Sequence, residues 1–230
     1  LFRSVKAKGF NTVRIPISWY PNITEDGGKY TIEPTWFARV KEVVDYAYNN
    51  GMYVIINVHH ENWVNRSDLA TSYESVSAEL KQVWTQIAEY FADYDQHLIF
   101  EGMNEPRMVG AKNEWTGSSA CYEVINKLNA DFIGTVRSVD SKYRTTRLLM
   151  VPGYAASGDY GIYSNLDKSL FDDPYVAASV HAYKPFDFAM GKGDHSSFSA
   201  DNKAELDSVF GRSAERRVGK ESRSRWSPYP

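Results

Sequence analysis

A carboxylate directly after an apolar segment is the feature of this sequence that most clearly suggests chemistry. Glu105 stands in the tripeptide Asn104-Glu105-Pro106, just beyond the apolar run His97–Gly102. A carboxyl group at the end of a buried strand is partly desolvated, so its pKa can rise and it can protonate a leaving oxygen and later deprotonate water. Pro106 restricts Glu105 to extended conformations, and Asn104 can hydrogen-bond a substrate hydroxyl. Because such a tripeptide also occurs in ordinary loops, it predicts a general acid/base only together with other residues.

Further polar residues follow other apolar runs. A charge such as Arg14 at a strand end is costly unless it is paired, and a carboxylate at the same edge is its natural partner, although a purely structural ion pair would look alike. His59 and His60 could bind a metal, but adjacent strand side chains point in opposite directions and no third ligand falls at a suitable spacing. We therefore expect no metal there, and hydrogen bonding to sugar hydroxyls or to carboxylates instead. His181 and Tyr183, two residues apart on one strand face, can position a second carboxylate.

These residues are separated by alternating strand and helix patterns. Uniformly apolar runs predict strands at Phe10–Pro16, Met52–Val58, His97–Gly102, Leu148–Val151 and Tyr175–Val180. Apolar residues at helical spacing predict helices from Pro34 to Asn50-Gly51, at Glu74–Tyr94, at Cys121–Val139 and from Ser199 to Phe210. The alternation indicates an α/β fold with a parallel sheet.

A (β/α)8 barrel is favoured over a doubly wound sheet for two reasons. No glycine-rich phosphate loop follows the first strand. The polar residues named above all lie at the carboxyl ends of strands, where barrel enzymes place their chemistry. Only about strands two to six of the eight are predicted, so we expect an incomplete barrel.

Composition excludes several classes of protein. The 230 residues are 43% hydrophobic and 24% charged with a net charge of -3, which fits one globular domain and gives no electrostatic footprint for nucleic acid or a membrane surface. No apolar run is long enough to span a bilayer. The single cysteine, Cys121, excludes an internal disulfide. Aromatic residues make up 14% of the chain and many fall in predicted loops, where flat rings match the C–H faces of sugars.

The last nineteen residues differ from the rest. Residues 212–230 carry a charge of +4, show no helical or strand period and look like a translated sequencing adapter. We therefore predict a partial catalytic barrel over residues 1–211 and a non-native tail over 212–230.

Four ordered motifs carry a family resemblance. They are VRIPISW at Val13–Trp19, INVHHENW at Ile56–Trp63, FEGMNEP at Phe100–Pro106 and SVHAY at Ser179–Tyr183. Together they resemble glycoside hydrolase family 5, and most of all its bacterial endoglucanase and xyloglucanase branch, over about residues 1–210. The resemblance implies that Glu105 is the acid/base and that Asn104 contacts the sugar bound to the nucleophile. It also implies that Arg14 and Tyr183 hold the nucleophile, and that His59, His181, His60 and Trp63 line the sugar cleft.

The second carboxylate of a retaining glycosidase has no counterpart in this sequence. In the family it is a Glu that ends the seventh strand, and no apolar strand followed by Glu occurs after Phe210. Glu205 falls within a helical pattern, and Glu215 and Glu221 fall in the tail, so we assign no nucleophile. Trp226, also in the tail, is not the family's eighth-strand tryptophan. We accordingly expect the polypeptide as written to fold poorly and to lack glycanase activity.

The predicted function is that of a longer parent enzyme, a retaining endo-β-1,4-glucanase that is secreted, monomeric and independent of cofactors, with β-glucan as its partner. The same chemistry on xyloglucan, mannan or xylan is the alternative among enzymes. A non-catalytic carbohydrate-binding barrel and a phosphate-binding barrel isomerase are the alternatives from other classes. Downstream sequence would distinguish them, because a binding protein would lack the seventh-strand Glu.

Overall fold

The computed structural model describes residues 2–192 and 197–217, with side chains through Val209. Its helices and strands in chain order are α1 (Phe2–Ala7), β1 (Thr12–Ile15), β2 (Ile23–Asp26), β3 (Lys29–Ile32), α2 (Pro34–Tyr48), β4 (Tyr53–Asn57), α3 (Tyr73–Tyr90), β5 (Leu98–Glu101), α4 (Ser119–Ser138), β6 (Leu149–Ser157), α5 (Tyr160–Tyr163), β7 (Val176–His181), α6 (Phe186–Ala189) and α7 (Ala200–Arg217).

Five of the strands form one parallel sheet in the order β1-β4-β5-β6-β7. Each neighbouring pair is also consecutive among these strands along the chain, and helices α2, α3 and α4 connect the first four. This confirms the predicted α/β class. Four of the five predicted strands lie within two residues of their expected bounds, and β6 runs six residues beyond its expected end. Within the described ranges, β1 and β7 each pair with a single strand, so the sheet has two open edges.

The main helices cover the outer face of the sheet because their apolar residues recur on one side. In α3 these side chains are fully buried, and the indole of Trp84 packs on Phe100 and Phe132 while its N–H donates to the carbonyl of Gly102 at 3.0 Å. A side chain at Gly102 would collide with Phe132, whose Cδ1 lies 2.7 Å from an added Cβ. The close approach of α4 to the end of β5 therefore requires glycine there.

Helix α2 begins and ends where the sequence predicts. Pro34 occupies its first turn, where a missing N–H costs nothing, and Gly51 follows its end with a φ of +67°. Of the predicted apolar face, Val43 is half-buried and the other four residues are buried, namely Phe37, Val40, Val44 and Ala47.

A β-hairpin between β1 and α2 was not predicted from the sequence. Strands β2 and β3 pair around Gly27 and Gly28, both with positive φ. The free edge of β3 is completed by α3, since Gln82 and Gln86 accept from the N–H groups of Tyr30 and Ile32 at 3.0 Å each. Two glutamines one helical turn apart thus take the place of a neighbouring strand and fix the loop that follows β1.

Strand β6 is longer and less regular than predicted. Its pairing with β7 shifts register between Pro152 and Ser157, and Ala155 and Ala156 take φ values of +53° and +48°. Left-handed backbone costs an alanine about 1–2 kcal/mol, and this irregularity lets the N–H of Ala155 donate to the carbonyl of Pro106 at 2.9 Å. The bulge therefore ties the end of β6 to the loop that carries Glu105.

The carboxyl end of the described chain is helical to Arg217, six residues into the segment set apart as a tail. That segment therefore does begin with helical structure, contrary to its lack of an evident period, and residues 218–230 lie outside the described residues. The proposed domain boundary stays a prediction. None of the helices in the described ranges combines the length and the apolar character that crossing a membrane requires.

Candidate active site

A pocket of about 370 Å³ opens at the carboxyl ends of β5, β6 and β7. Glu105 lines it, and much of the rest of the wall is aromatic. The aromatic lining residues are Trp115, Tyr160, Tyr163, Tyr183 and Phe186. The loops after the strands thus hold exposed rings next to a carboxylate, as the aromatic content of the predicted loops suggests.

The carboxylate of Glu105 is held by three side chains. The Nδ1 of His181, at the end of β7, lies 2.7 Å from its Oε1, and the hydroxyl of Tyr183 donates to the same oxygen at 3.5 Å. The guanidinium of Arg107 lies 3.5 Å from Oε2 and also donates to the backbone carbonyl of Glu105 at 3.2 Å. In the described chain His181 and Tyr183 therefore contact Glu105 itself, and their predicted role toward a second carboxylate stays a prediction.

These contacts change the expected titration of Glu105. The hydrogen bond from His181 lowers the pKa of Glu105 below its ordinary value, and the nearby positive charges of His181, Arg107 and His60 lower it further, against the opposing effect of burial. The expectation that desolvation at the strand end raises this pKa is therefore wrong for the chain as described. Hydrogen bonding from His181 to the charged form of Glu105 outweighs desolvation.

Arg14 is paired with a carboxylate that the sequence prediction did not assign. Its Nε and Nη2 lie 2.7 Å and 2.6 Å from Oε2 of Glu101, and Nη2 also donates to Oδ1 of Asn104 at 2.7 Å. Glu101 is fully buried at the end of β5. The expectation of a carboxylate partner for Arg14 at this edge of the sheet is confirmed.

The tautomer of His59 follows from the hydrogen bonds of Asn57. Oδ1 of Asn57 accepts from the N–H of Ile17 at 3.1 Å, which leaves Nδ2 to donate to Glu101 and, at 3.0 Å, to Nδ1 of His59. Burial, with the positive charges of His60 and Arg14, lowers the pKa of His59 to about 4. A neutral imidazole that accepts at Nδ1 carries its proton on Nε2, so His59 presents one N–H donor to a ligand.

The two adjacent histidines do not point apart as strand alternation predicts. Their ring centroids lie 4.3 Å apart, because both residues follow the last residue of β4 and are free of its pleat. His60 is exposed and His59 half-buried. The described residues contain no group of three or more His, Cys, Asp or Glu side chains placed to hold a metal ion.

Trp63 is the predicted cleft residue whose position is least suited to that role. Its side chain is 7% exposed, and its indole N–H donates to Oε2 of Glu61 at 3.0 Å. Glu61 is itself buried and accepts from the backbone N–H groups of Trp19 and Tyr20. A ring with so little exposed surface offers almost no face to a sugar, so the structure argues against Trp63 as a cleft residue and places it in the core.

Three residues of the site went unassigned in the sequence: Glu101, Arg107 and Trp115. Arg107 bonds Glu114 at 3.0 Å and stacks at 4.5 Å on the ring of Trp115, which is 60% exposed at the pocket. Glu101 had a detectable signal, since a charged residue inside an otherwise apolar buried strand requires a partner. Arg107 and Trp115 lie in a loop with no period and gave none.

Two more carboxylates line the pocket. Asp159 precedes α5 and accepts from the N–H of Gly161 at 2.8 Å, and Glu205 lies on α7, where it forms an ion pair with Lys184 at 3.1 Å. The position of Glu205 on a helix agrees with the helical pattern of the sequence. The site as described therefore holds the carboxylate of Glu105 in contact with imidazole, phenol and guanidinium groups, with the amide of Asn104 and the imidazole of His59 as further donors beside it. Such a group can give a proton to a bound oxygen and take one from water.

Solved structures of known proteins share this fold. A GH5-4 broad specificity endoglucanase from Ruminococcus flavefaciens superposes with a TM-score of 0.85 at 48% sequence identity, over 91% of this chain and 60% of that one. A xyloglucan-specific endo-β-1,4-glucanase of family GH5 from a metagenomic library, in complex with cellotriose, superposes with a TM-score of 0.82 at 36% identity, over 91% of this chain and 61% of the other. The prediction of a (β/α)8 barrel, of which five strands are present in the described part, is confirmed.

Two curated relatives also bear the name endoglucanase. Endoglucanase 1 of Ruminococcus albus is 45% identical over 182 residues, which is 79% of this chain and 43% of the relative. Endoglucanase A of Clostridium longisporum is 44% identical over 194 residues, which is 84% of this chain and 36% of the relative. The chain thus spans less than half the length of these proteins. The family model of the cellulases, glycosyl hydrolase family 5, matches residues 1–220, and the chain belongs to that family.

Proposed function

We propose that this chain is the acid/base-bearing part of a retaining endo-β-1,4-glucanase, with Glu105 as the general acid and then the general base. The observation that carries the proposal is the carboxylate of Glu105, held at the pocket by His181, Tyr183 and Arg107. The relatives that bear the name endoglucanase support the choice of substrate class.

In the first step, the protonated carboxyl of Glu105 donates its proton to the glycosidic oxygen as the bond from C1 to that oxygen breaks. A second carboxylate about 5–5.5 Å away attacks C1 and forms a glycosyl-enzyme intermediate. In the second step, Glu105 takes a proton from the water that attacks C1, and the nucleophile leaves with its electron pair. The nucleophile would lie outside this chain, on a strand that follows α7 in a longer protein.

A nearby nucleophile also bears on the pKa of Glu105. In the described chain the neighbouring cations lower that pKa. A second carboxylate at about 5 Å would disfavour the charged form of Glu105 and raise its pKa again. The general acid therefore requires the complete pair of carboxylates.

Asn104 and His59 supply hydrogen-bond donors to the sugar. Oδ1 of Asn104 is occupied by Arg14, so its amide N–H groups remain for a sugar hydroxyl. The Nε2–H of neutral His59 is a second donor on the same side. The exposed rings of Trp115 and Tyr183 offer flat faces for stacking. We further propose that the enzyme is secreted, since insoluble polysaccharide cannot enter a cell.

The test is hydrolysis of β-glucan by the full-length protein, meaning the longer gene product that we propose contains this chain. Proton NMR of the first product formed from cellotetraose should show the β-anomer, since double displacement retains configuration. Initial formation of the α-anomer would refute the retaining mechanism. Absence of hydrolysis, together with no Glu at the end of a following strand, would instead identify a non-catalytic carbohydrate-binding protein.

Xyloglucan is the second candidate substrate, favoured by the xyloglucan-specific relative of similar fold. The pocket beside Glu105 is open and lined by rings that could contact a branched chain. Comparison of kcat/KM on xyloglucan oligosaccharides and on cello-oligosaccharides of the same backbone length decides between them. A value for the branched substrate more than about tenfold higher would assign xyloglucan.

A further inference from the structure

Glu101 is a charged residue in the apolar interior of the sheet, where burial of a charge is unfavourable. It has no exposed surface, and its strand β5 is otherwise apolar and buried throughout. An isolated carboxylate in such surroundings would be neutralised or would destabilise the fold, unless donors satisfy both oxygens. In the structure both oxygens are satisfied, and all of the donors come from other strands of the sheet or the loop beside them.

The first oxygen of Glu101 fixes Arg14 and, through it, Asn104. Oε2 accepts from Nε of Arg14 at 2.7 Å and lies 2.6 Å from Nη2, so the plane of the guanidinium is set by two contacts to one atom. Nη2 then donates to Oδ1 of Asn104 at 2.7 Å. Because that oxygen is occupied, the amide N–H groups of Asn104 are the ones left to face a ligand.

The same oxygen also fixes His59. Nδ2 of Asn57 donates to Oε2 of Glu101 at 3.0 Å and to Nδ1 of His59 at 3.0 Å. Asn57 and Glu101 are register partners on adjacent strands, so their side chains point into the interior together. The carboxylate thus anchors the amide that selects the tautomer of His59.

The second oxygen of Glu101 reaches the opposite side of the pocket. Oε1 accepts from the hydroxyl of Ser179 at 2.5 Å and lies 4.0 Å from Nε2 of His181. The other ring nitrogen of His181 bonds Glu105. The imidazole that holds the acid/base therefore lies between two carboxylates, one exposed to the pocket and one buried beneath it.

We propose that Glu101 is a positioning residue of this active site, whose buried negative charge orients Arg14, Asn104 and His59 toward the sugar and holds His181 against Glu105. The inference rests on the proposed function, because these four groups matter through the substrate that they bind. It goes beyond that function in assigning a role to a carboxylate that touches no substrate.

The ion pair with Glu101 also keeps the positive charge of Arg14 in one place. That positive charge is one of the causes that lower the pKa of His59, after burial and the charge of His60. At Tyr183 it opposes burial and the charge of Glu105, which raise the pKa overall. Without the compensating charge of Glu101, the guanidinium would be free to turn toward another carboxylate of the site. Asn104 and Asn57, and with Asn57 the ring of His59, would then lose the contacts that fix their orientation.

The substitution Glu101→Gln tests the charge while keeping the shape. A glutamine can place its oxygen toward Arg14 and Asn57 and its amide nitrogen toward the Ser179 hydroxyl, which can accept. The fold should survive, but kcat on cellotetraose should fall by about 100-fold, the loss typical of catalytic groups displaced by about an ångström. KM should change by less than about threefold, since the effect falls on the transition state. Glu101→Asp, which keeps the charge on a shorter side chain, should recover part of kcat.

Asp131→Asn in α4 is the matched control. Asp131 is a half-buried carboxylate with similar partners, two hydroxyls (Tyr73 and Ser77) and the ammonium of Lys81, but it does not line the pocket. Its substitution should lower thermal stability without a specific loss of kcat. If Glu101→Gln leaves kcat within about threefold of wild type, or lowers it no more than Asp131→Asn does at equal folded fraction, the proposal is overturned.

A second readout separates this inference from the proposed function. The ¹⁵N–¹H signal of Arg14 Nε and the ring nitrogen signals of His59 report their hydrogen bonds without any substrate. Glu101→Gln should move both sets of signals, and Asp131→Asn should move neither. If wild type hydrolyses no glucan, the proposed function fails, yet unchanged NMR signals in Glu101→Gln would still overturn the positioning role and shifted signals would support it.

Discussion

Replacing Glu105 with glutamine in the full-length protein should separate proton transfer from every other role of this residue. The amide oxygen of glutamine can still accept from Nδ1 of His181, and the amide nitrogen lies where Oε2 of Glu105 faces Arg107 across 3.5 Å. One long ion pair is lost, which costs about 1 kcal/mol or less. The folded structure should therefore be retained while the transferable proton is removed.

The size of the effect depends on the leaving group. General acid–base catalysis contributes about 10² to 10⁴ in rate, which corresponds to roughly 3 to 5 kcal/mol of transition-state stabilisation. Cellotetraose, whose leaving group is a sugar alkoxide, should lose kcat by that factor. A dinitrophenyl cellobioside needs no protonation of its leaving group, so its first step should be nearly unchanged in Glu105→Gln.

The assay is the release of dinitrophenol beside the hydrolysis of cellotetraose, for wild type and variant at one pH. Glu114→Gln is the control, because Glu114 is a neighbouring carboxylate that bonds the same guanidinium of Arg107 at 3.0 Å. It should affect both substrates alike and only modestly.

The stereochemistry of azide rescue gives the decisive result. In Glu105→Ala, azide should attack the glycosyl-enzyme intermediate and yield the β-glycosyl azide, because the missing group is the base of the second step. Formation of the α-glycosyl azide would mean that Glu105 is the nucleophile. An equal loss of kcat/KM, which reports the first step, on both substrates in Glu105→Gln would mean that Glu105 does not act as an acid. Either result would refute the reasoning.

Further expected outcomes concern pH, stability and folding. Removing the imidazole in His181→Ala takes away the largest cause of the lowered pKa of Glu105, so this pKa should rise and the alkaline limb of kcat/KM should move to higher pH; an unshifted limb would contradict this. NMR titration should give His59 a pKa of about 4. Because the pKa of an unfolded histidine is about 6.5, the contribution of His59 to folding stability should be complete above about pH 6.5 and should fall as the pH drops toward about 4. A normal pKa for His59 would refute its burial. Arg147→Met should lower the free energy of unfolding, measured in urea, by about 3 to 5 kcal/mol. The reason is that the buried guanidinium of Arg147 donates to four backbone carbonyls around the end of α3 and the start of β5. A loss below about 1 kcal/mol would mean that water replaces these hydrogen bonds. The 230-residue polypeptide expressed alone should aggregate and show no turnover of carboxymethylcellulose, because β1 and β7 leave two open sheet edges in the described part; a soluble product with a cooperative melting transition would contradict it.

The sequence sufficed to predict the alternation of strands and helices and the edge of the sheet where chemistry occurs. Buried parallel strands are apolar on both faces, so their runs stand out, and each main helix carries its apolar stripe at a fixed spacing. Polar residues at the ends of such runs, Glu105 and His181 among them, must meet at one edge because parallel strands all end there. The hairpin of β2 and β3 was missed, although Gly27-Gly28 between two short alternating segments is a recognisable turn signal.

The partners of the charged groups and the direction of their pKa shifts, by contrast, depended on distances between strands. A local sequence pattern does not determine those distances. Arg14 was expected to meet a carboxylate, but Glu101, 87 positions further along the chain, was identified only by the structure. The pKa of Glu105 was expected to rise with burial and is instead lowered, because burial also brought His181 within 2.7 Å. Periodicity determines which face a side chain occupies, whereas the sign of an electrostatic effect depends on a few ångströms between groups on different strands, and only the folded sheet sets those.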